Sequence, residues 1–486
     1  MGTGSLPVRR LFVQALRNTR VVEEIAPWIE PSSKSHSSSF ETAARLRERS
    51  PQDDGIERGL DNINIRCHLL HKIWQPSDRS FAAAREVNLV CAARGVRGFG
   101  DGFAMIILPA YLTAIGFDAA AVGIVATAAL LGSAAMTLAI GHLAARHDLR
   151  PFLIAGALAM VATGLALPQI EHIAFIAAVV FFGTVNPSPG EIGMLVPLEQ
   201  AMLAHGVPDD QRTRAFARYS LIGSLATAAG SLAAAAPDGL VHLGIGKVAA
   251  FKAMFLFYGA LGVVAAVLYR RLPHAQADAP KPAAALGPSR GVVYKLAALF
   301  SLDSFAGGFI VQSLLALWLF ERFGLSLTGA SVFFFWAGVL SAFSYLVAAR
   351  LSARIGLINT MVFTHIPSSL CLIAAAFAPN LPLALALLLA RFALSQMDVP
   401  TRTSYVMAVV TPAERTAAAS VTAVPRTVTS SISPAIAGVL FASPFSGLPL
   451  VACGMLKIVY DVILLISFRH TRPPEENGRN PVRSAG

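Results

Sequence analysis

Twelve apolar stretches, each about twenty residues long, follow one another between Val87 and Phe468. A run of that length with few charges is what a helix needs to cross the roughly 30 Å of hydrocarbon in a bilayer. Composition points the same way. The chain is 55% hydrophobic and 14% charged, against about 25% charged in soluble domains, so it reads as an all-α, polytopic membrane protein. The net charge of +11 does not signal nucleic acid, because the Lys and Arg residues lie in an N-terminal extension and in short loops, where they orient helices.

The spans are expected at Val87–Thr113, Ala119–His142, Phe152–Pro168, Ile173–Leu203, Tyr219–Ala236 and Ala249–Tyr269, then at Val292–Leu319, Gly329–Ala349, Ile358–Phe377, Leu381–Ala408, Val421–Leu440 and Leu448–Phe468. This divides the chain into a polar extension (1–85), a first bundle (86–270), a central loop (271–290), a second bundle (291–470) and a tail (471–486). The extension has too little apolar surface to form a core and reads as disordered, or as the product of a start codon assigned too far upstream. It holds no signal peptide, and its Glu residues argue against an Arg-rich targeting leader. The four cysteines show no metal or disulfide spacing, and neither a metal nor a cofactor is expected.

Positive charge follows the even-numbered spans: Arg146 and Arg150, Arg212 and Arg214, the central loop, Arg350 and Arg354, Arg415, then Arg469 and Arg472. The alternate loops hold Lys247 and Arg322. Excess positive charge marks the cytoplasmic side, so both termini are expected inside a plasma (inner) membrane.

The second half repeats the first. Gly116 and Gly324, in the loops after spans one and seven, are 208 positions apart, and so are Arg146 and Arg354 after spans two and eight. A further match aligns Pro208–Thr213 with Thr411–Thr416. These matches lie in loops, where the shared apolar composition of helices cannot produce them by chance.

At these residues the chain resembles the major facilitator superfamily, whose loop after the second helix reads G-x-x-x-D-R-x-G-x-R. Gly141, Arg146 and Arg150 fit that pattern, while Ala145 replaces the acid and Asp148 the second glycine; Arg354 and Gly356 fit in the second copy. The resemblance covers residues of about 86–470 and implies two pseudo-symmetric six-helix bundles. It further implies a secondary active transporter, monomeric, whose partners are the lipid bilayer and a small-molecule substrate. The fifth span, Gly223–Ala234, lacks the proline of the drug/proton antiporter subclass, whereas Ser433–Gly438 in span eleven comes close to the second-half counterpart.

Ionisable groups at bilayer depth carry the rest, since each costs at least about 2.5–3.5 kcal/mol unless paired or hydrated. In span one, Arg94, Arg97 and Asp101 share a helix face. Asp101 is either a proton or substrate site governed by Arg97, or half of a structural ion pair. In span four, Asn186, Pro187, Pro189, Gly190 and Pro197 rule out a regular helix, so the segment should line a cavity, with Glu191 beside the break as a proton carrier or a cap. Span ten mirrors it: Pro400 matches Pro197, and Arg402 corresponds to Glu199. There Arg391 or Arg402 holds an anionic substrate, or Asp398 neutralises them; Gln396 lies between.

Glu199, Arg218 and Arg426 are expected either to gate the cytoplasmic end or to sit as ordinary helix-end charges. Asp303 and Gln312 on span seven, and an i,i+4 pair of Lys457 with Asp461, complete the candidates. His142, His205 and His242 read as interface residues.

No Walker loop is present, and no HExxH or GxSxG motif, so ATP-driven transport and catalysis are not expected. The leading expectation is proton-coupled efflux by alternating access. The alternative is an uptake permease for a specific metabolite, with an anion among the options.

Overall fold

A computed structural model describes residues 78–468 apart from 145–146, 188–192, 194, 208, 275–285 and 412–413. The polar extension, Arg146, Glu191, Lys281 and the tail therefore lie outside the described residues, except that the first helix already begins at Asp78.

Regular structure among the described residues is helical. The first half runs α1 (Asp78–Ala114), α2 (Ala119–Ala144), α3 (Leu149–Ala166), α4 (Ile173–Phe182), α5 (Val196–Gly206), α6 (Asp209–Ala233), α7 (Ala236–His242) and α8 (Lys247–Arg270). The second half runs α9 (Arg290–Gly308), α10 (Gln312–Phe323), α11 (Leu327–Ile355), α12 (Leu357–Ala376), α13 (Leu381–Ser395), α14 (Asp398–Val409), α15 (Arg415–Phe441) and α16 (Leu448–Phe468). Eight helices among the described residues are long and apolar enough to cross a membrane by length and composition. The remaining crossings include two that are divided, α4 with α5 and α13 with α14, and the arrangement matches twelve spans in two halves.

The divisions have identifiable causes. Span four stops at Phe182 and resumes at Val196, with Pro197 in the first turn of α5, where a missing N–H costs nothing. Span ten parts between Ser395 and Asp398, with Pro400 in the first turn of α14. Span seven is interrupted at Phe309–Val311, although its sequence offers only Gly307 and Gly308 as a hint. Pro434 stays inside α15, and the carbonyl of Ser430 one turn back takes a 3.3 Å bond from Ser433 Oγ.

The duplication is visible in backbone geometry. Gly116 and Gly324 have φ of 97° and 61°, the left-handed region that ends a helix. Two residues on, Asp118 and Ser326 cap α2 and α11 by accepting from the backbone N–H of Ala121 and Gly329, at 2.9 and 3.0 Å. In the motif loops the copies differ. Asp148 caps α3 where the second copy has Gly356 at φ 86°. Arg150 donates to the carbonyl of Arg270 at 2.6 Å, and His274 meets Asp148, tying this loop to the start of the central linker.

Packing separates the two ends of the molecule. At the end away from the termini, one apolar cluster is shared by both halves and includes Leu108, Tyr111, Val122, Trp318, Phe334, Ala437 and Leu450. At the terminal end each half has its own: Leu149, Leu153, Met202 and Tyr269 in the first, and Val293, Phe300, Met361 and Leu464 in the second. Ties between the halves follow the same division. Gly123 packs on Gly438, Thr127 Oγ1 accepts from Ala435 N–H at 2.8 Å, and Asp238 accepts from the hydroxyl and the N–H of Thr328 at 2.7 and 3.1 Å. The N–H of Ser313 donates to the carbonyl of Pro187 at 3.1 Å, joining two broken spans at mid-depth. The halves are thus sealed together at the far end.

Candidate functional site

Each half holds a buried charge cluster. In the first, Arg97 on α1 donates to Glu199 on α5 at 2.5 Å. Glu199 also accepts from the hydroxyls of Tyr219 on α6 at 2.6 Å and Tyr269 on α8 at 2.5 Å. It is fully buried, and three donors compensate its lost hydration. Arg94 lies over the Tyr219 ring, 5.4 Å from its centre.

This geometry changes one expected pairing. Arg97 turns to Glu199 rather than to Asp101, since the broken span brings α5 against α1. In this structure Glu199 is engaged within its own half, while Arg218 is exposed on α6 and Arg426 lies in the other half. Asp101 accepts a 3.4 Å bond from Tyr258, whose hydroxyl also meets Thr184 Oγ1 at 3.0 Å.

Asp101 borders a crevice with Arg94, Arg97, Ser133, Thr184 and Asn186. Its open space is about 390 Å³, but the centre of a water can occupy only about 20 Å³ of it. In this conformation it has room for water or a small ion and not for an organic solute.

The second cluster is larger. Asp303 on α9 takes bonds from Lys457 on α16 at 2.7 Å and Arg402 on α14 at 3.2 Å. Arg402 is also paired with Asp398 one turn back and lies over the Phe300 ring at 5.2 Å. His365 on α12 sits between two carboxylates: its Nδ1 is 3.1 Å from Asp461 and its Nε2 is 3.8 Å from Asp303. Lys457 is 3.3 Å from the same Nε2. The second oxygen of Asp461 is buried with no partner among the described residues.

Again partners differ from the expectation. Lys457 and Asp461 do not pair along α16, because Lys457 reaches α9 while Asp461 meets α12. Asp398 neutralises Arg402 and not Arg391. Arg391 lies 5.0 Å over the neighbouring Phe392 ring, with no carboxylate in ion-pair reach among the described residues. Gln312 opens α10 beside the break in span seven, and Gln396 lies in the break of span ten. Among the motif residues, Gly141 lies on α2 and Arg354 is exposed near the end of α11. Sequence reasoning missed His365 and the three tyrosines; His365 lies in an apolar span without a charged neighbour to single it out.

Outside the membrane spans, Glu414 gathers the loop before α15 and the linker before α9. Its carboxylate accepts from the hydroxyls of Thr411 and Ser289, each at 2.7 Å, and from the backbone N–H of Gly287 and Ser289 at 2.5 and 3.4 Å. These bonds, with the two hydroxyls contributing most, hold its pKa down at about 2.

The sequence profile of the Major Facilitator Superfamily matches residues 90–389. The chain is 23% identical over 423 residues to the uncharacterized membrane protein YJR124C of Saccharomyces cerevisiae, covering 79% of this chain and 94% of that one. Among solved structures it is similar to the xylose transporter XylE from E. coli in an inward open conformation (TM-score 0.60, 12% identity, 78% of this chain and 95% of that one). It is also similar to the nucleoside transporter NupG (0.58, 14%, 79% and 98%). A third likeness is to an occupied, inward-facing bacterial homolog of the human lysosomal transporter Spinster (0.60, 16%, 82% and 98%).

Proposed function

Because the chain belongs to the Major Facilitator Superfamily and is a membrane transporter of that type, we propose that it moves a small solute by alternating access, driven by protons. The observation that carries the coupling is His365, buried between Asp461 and Asp303 and next to Lys457. Three carboxylates, Asp303, Asp398 and Asp461, face two fixed cations, Arg402 and Lys457. Arg426 on α15, bonded to Ser304 next to Asp303, adds a third cation, and the oxygen of Asp461 that lacks a partner among the described residues gives an added proton a place to bind. Asp101 is the corresponding carboxylate in the crevice of the first half.

The shared apolar seal at the far end, with separate cores at the terminal end, supports an inward-open state if the Arg-rich loops face the cytoplasm. Rocking the halves so that Gly123 parts from Gly438 while the terminal end closes would exchange the open side.

Direction turns on whether proton and solute bind together or compete. Coupled export at the plasma membrane requires competition. Uptake of an anion requires joint binding. Vesicles holding a metabolite extract at equal concentration inside and outside, and given an inward proton gradient, separate the two readings. Solutes that accumulate with protons support uptake, and solutes that leave support export. If no solute moves, or if movement is unchanged in His365→Gln, the coupling proposal is wrong.

A further inference from the structure

The lipid-facing stripe of α15 is Val424, Val428, Ile432, Ile436 and Val439, all exposed. A different face carries Arg426, Thr427 and Ser430, then Pro434 and Gly438 in the same helical register. At the far end Pro434 and Gly438 touch Gly123 of the first half. Toward the terminal end the halves have separate cores, and Arg426, Thr427 and Ser430 are part-exposed on the side of α15 between its contact with α9 (Arg426 with Ser304, the Ser430 carbonyl by Gly308) and its contact with Gly123 of the other half. This polar patch therefore opens on the gap between the bundles.

Its chemistry is specific. Arg426 Nε donates to Ser304 Oγ at 3.1 Å, and no carboxylate lies within ion-pair reach among the described residues. By contrast, Arg97 and Arg402, the cations nearest to it in role, are taken up by Glu199 and by Asp398 with Asp303. The surrounding hydroxyls spend their protons on backbone carbonyls: Thr427 on Ala423 at 3.1 Å, Thr429 on Pro425 at 2.9 Å and Ser430 on Thr427 at 3.0 Å. What they retain for a ligand is lone pairs. A guanidinium with free donors, set among acceptors, is complementary to an anionic group attached to hydroxyls.

We propose that Arg426, with Ser304, Thr427 and Ser430, holds the solute, and that the solute is a small organic anion bearing hydroxyl groups. The inference rests on the transporter reading, whose cluster begins at Asp303, the residue before Ser304. It moves the anion site away from Arg391 and Arg402, where sequence alone placed it.

The test compares gluconate with sorbitol, its uncharged counterpart, at matched ionic strength, by thermal unfolding of the purified full chain. Gluconate should raise the midpoint and sorbitol should not. Arg426→Gln should abolish the difference, Arg426→Lys should keep part of it and Arg391→Gln should leave it whole. Equal shifts from the two probes, or a difference that survives in Arg426→Gln, overturn the proposal. Proteoliposomes with an internal pH dye separate its failure from that of the transporter reading. Gluconate bound through Arg426 without proton entry would keep the site and remove the coupling. Proton entry driven by sorbitol but not by gluconate would keep the coupling and remove the anion site.

Discussion

Arg97 and Glu199 lie 2.5 Å apart between the first and fourth spans, and the duplication repeats this contact with the signs exchanged. In the second half the acid, Asp303, comes from span seven and the arginine, Arg402, from span ten, at 3.2 Å. A pair bridging the same two helices of each bundle keeps the broken span in place whichever residue supplies which charge. In the first half, two tyrosine hydroxyls bond to the pair and a crevice borders it. In the second, a histidine, a lysine and two further carboxylates join it.

Removing one partner of such a pair strands the other charge, at a cost of about 3–5 kcal/mol. Glu199→Ala should therefore lower the thermal midpoint of the purified protein sharply, whereas Arg97→Met with Glu199→Leu should recover much of the loss. A single variant as stable as wild type would show that the buried pair is not what holds α5 against α1.

The far-end seal depends on two glycines. A side chain on Gly123 would meet the carbonyl of Pro434 at 2.5 Å and the backbone of Gly438 at 2.9 Å. Gly123→Leu should hold the far end apart, so that a cysteine introduced at Thr127 becomes reactive to a membrane-impermeant thiol reagent from that side. Reactivity equal to that in the Gly123 background would contradict the seal.

Gly116 and Gly324 make no contact within 4 Å at the site of an added Cβ. Substitution by Ala there costs backbone strain alone, about 1–2 kcal/mol at each. The two variants should lower thermal stability by similar amounts, and clearly unequal losses would argue against equivalent turns.

The pKa of Glu414 falls from an ordinary 4.5 to about 2. A carboxyl depressed on folding adds stability that is complete above its unfolded pKa and lost as pH falls through the folded one. The anchoring of Gly287 and Ser289 should accordingly persist through mildly acidic pH and weaken between about 4.5 and about 2. Hydrogen exchange at Gly287 and Ser289 follows this. Glu414→Gln should exchange fast at every pH, and identical protection in the two proteins would rule the anchor out.

Much of the fold was legible because its signals are local. Span length, the left-handed glycines after spans one and seven and the proline-rich interruption of span four can each be read within a few residues. The break in span seven was not, since only Gly307 and Gly308 mark it and its backbone is positioned by contact with Pro187 and α15. Partner choice was less legible still. Helical spacing suggested Arg97 with Asp101 and Lys457 with Asp461, yet Glu199, Asp303 and His365 reach these groups from other helices. Spacing along one helix constrains which residues share a face, and it carries no information about what the neighbouring helix brings to that face.

Interspin distances measured in liposomes test the central claim most directly. One label pair would join Leu143 on α2 to Ala417 on α15 at the terminal end, and another Asp118 to Phe445 at the far end, in a chain cleared of its four cysteines. The account predicts that shifting from alkaline to acidic pH redistributes both pairs in opposite senses, one end closing as the other opens, and that His365→Gln abolishes the response. Two distances that stay fixed at every pH, or that lengthen together, would contradict a pair of lobes rocking under proton control.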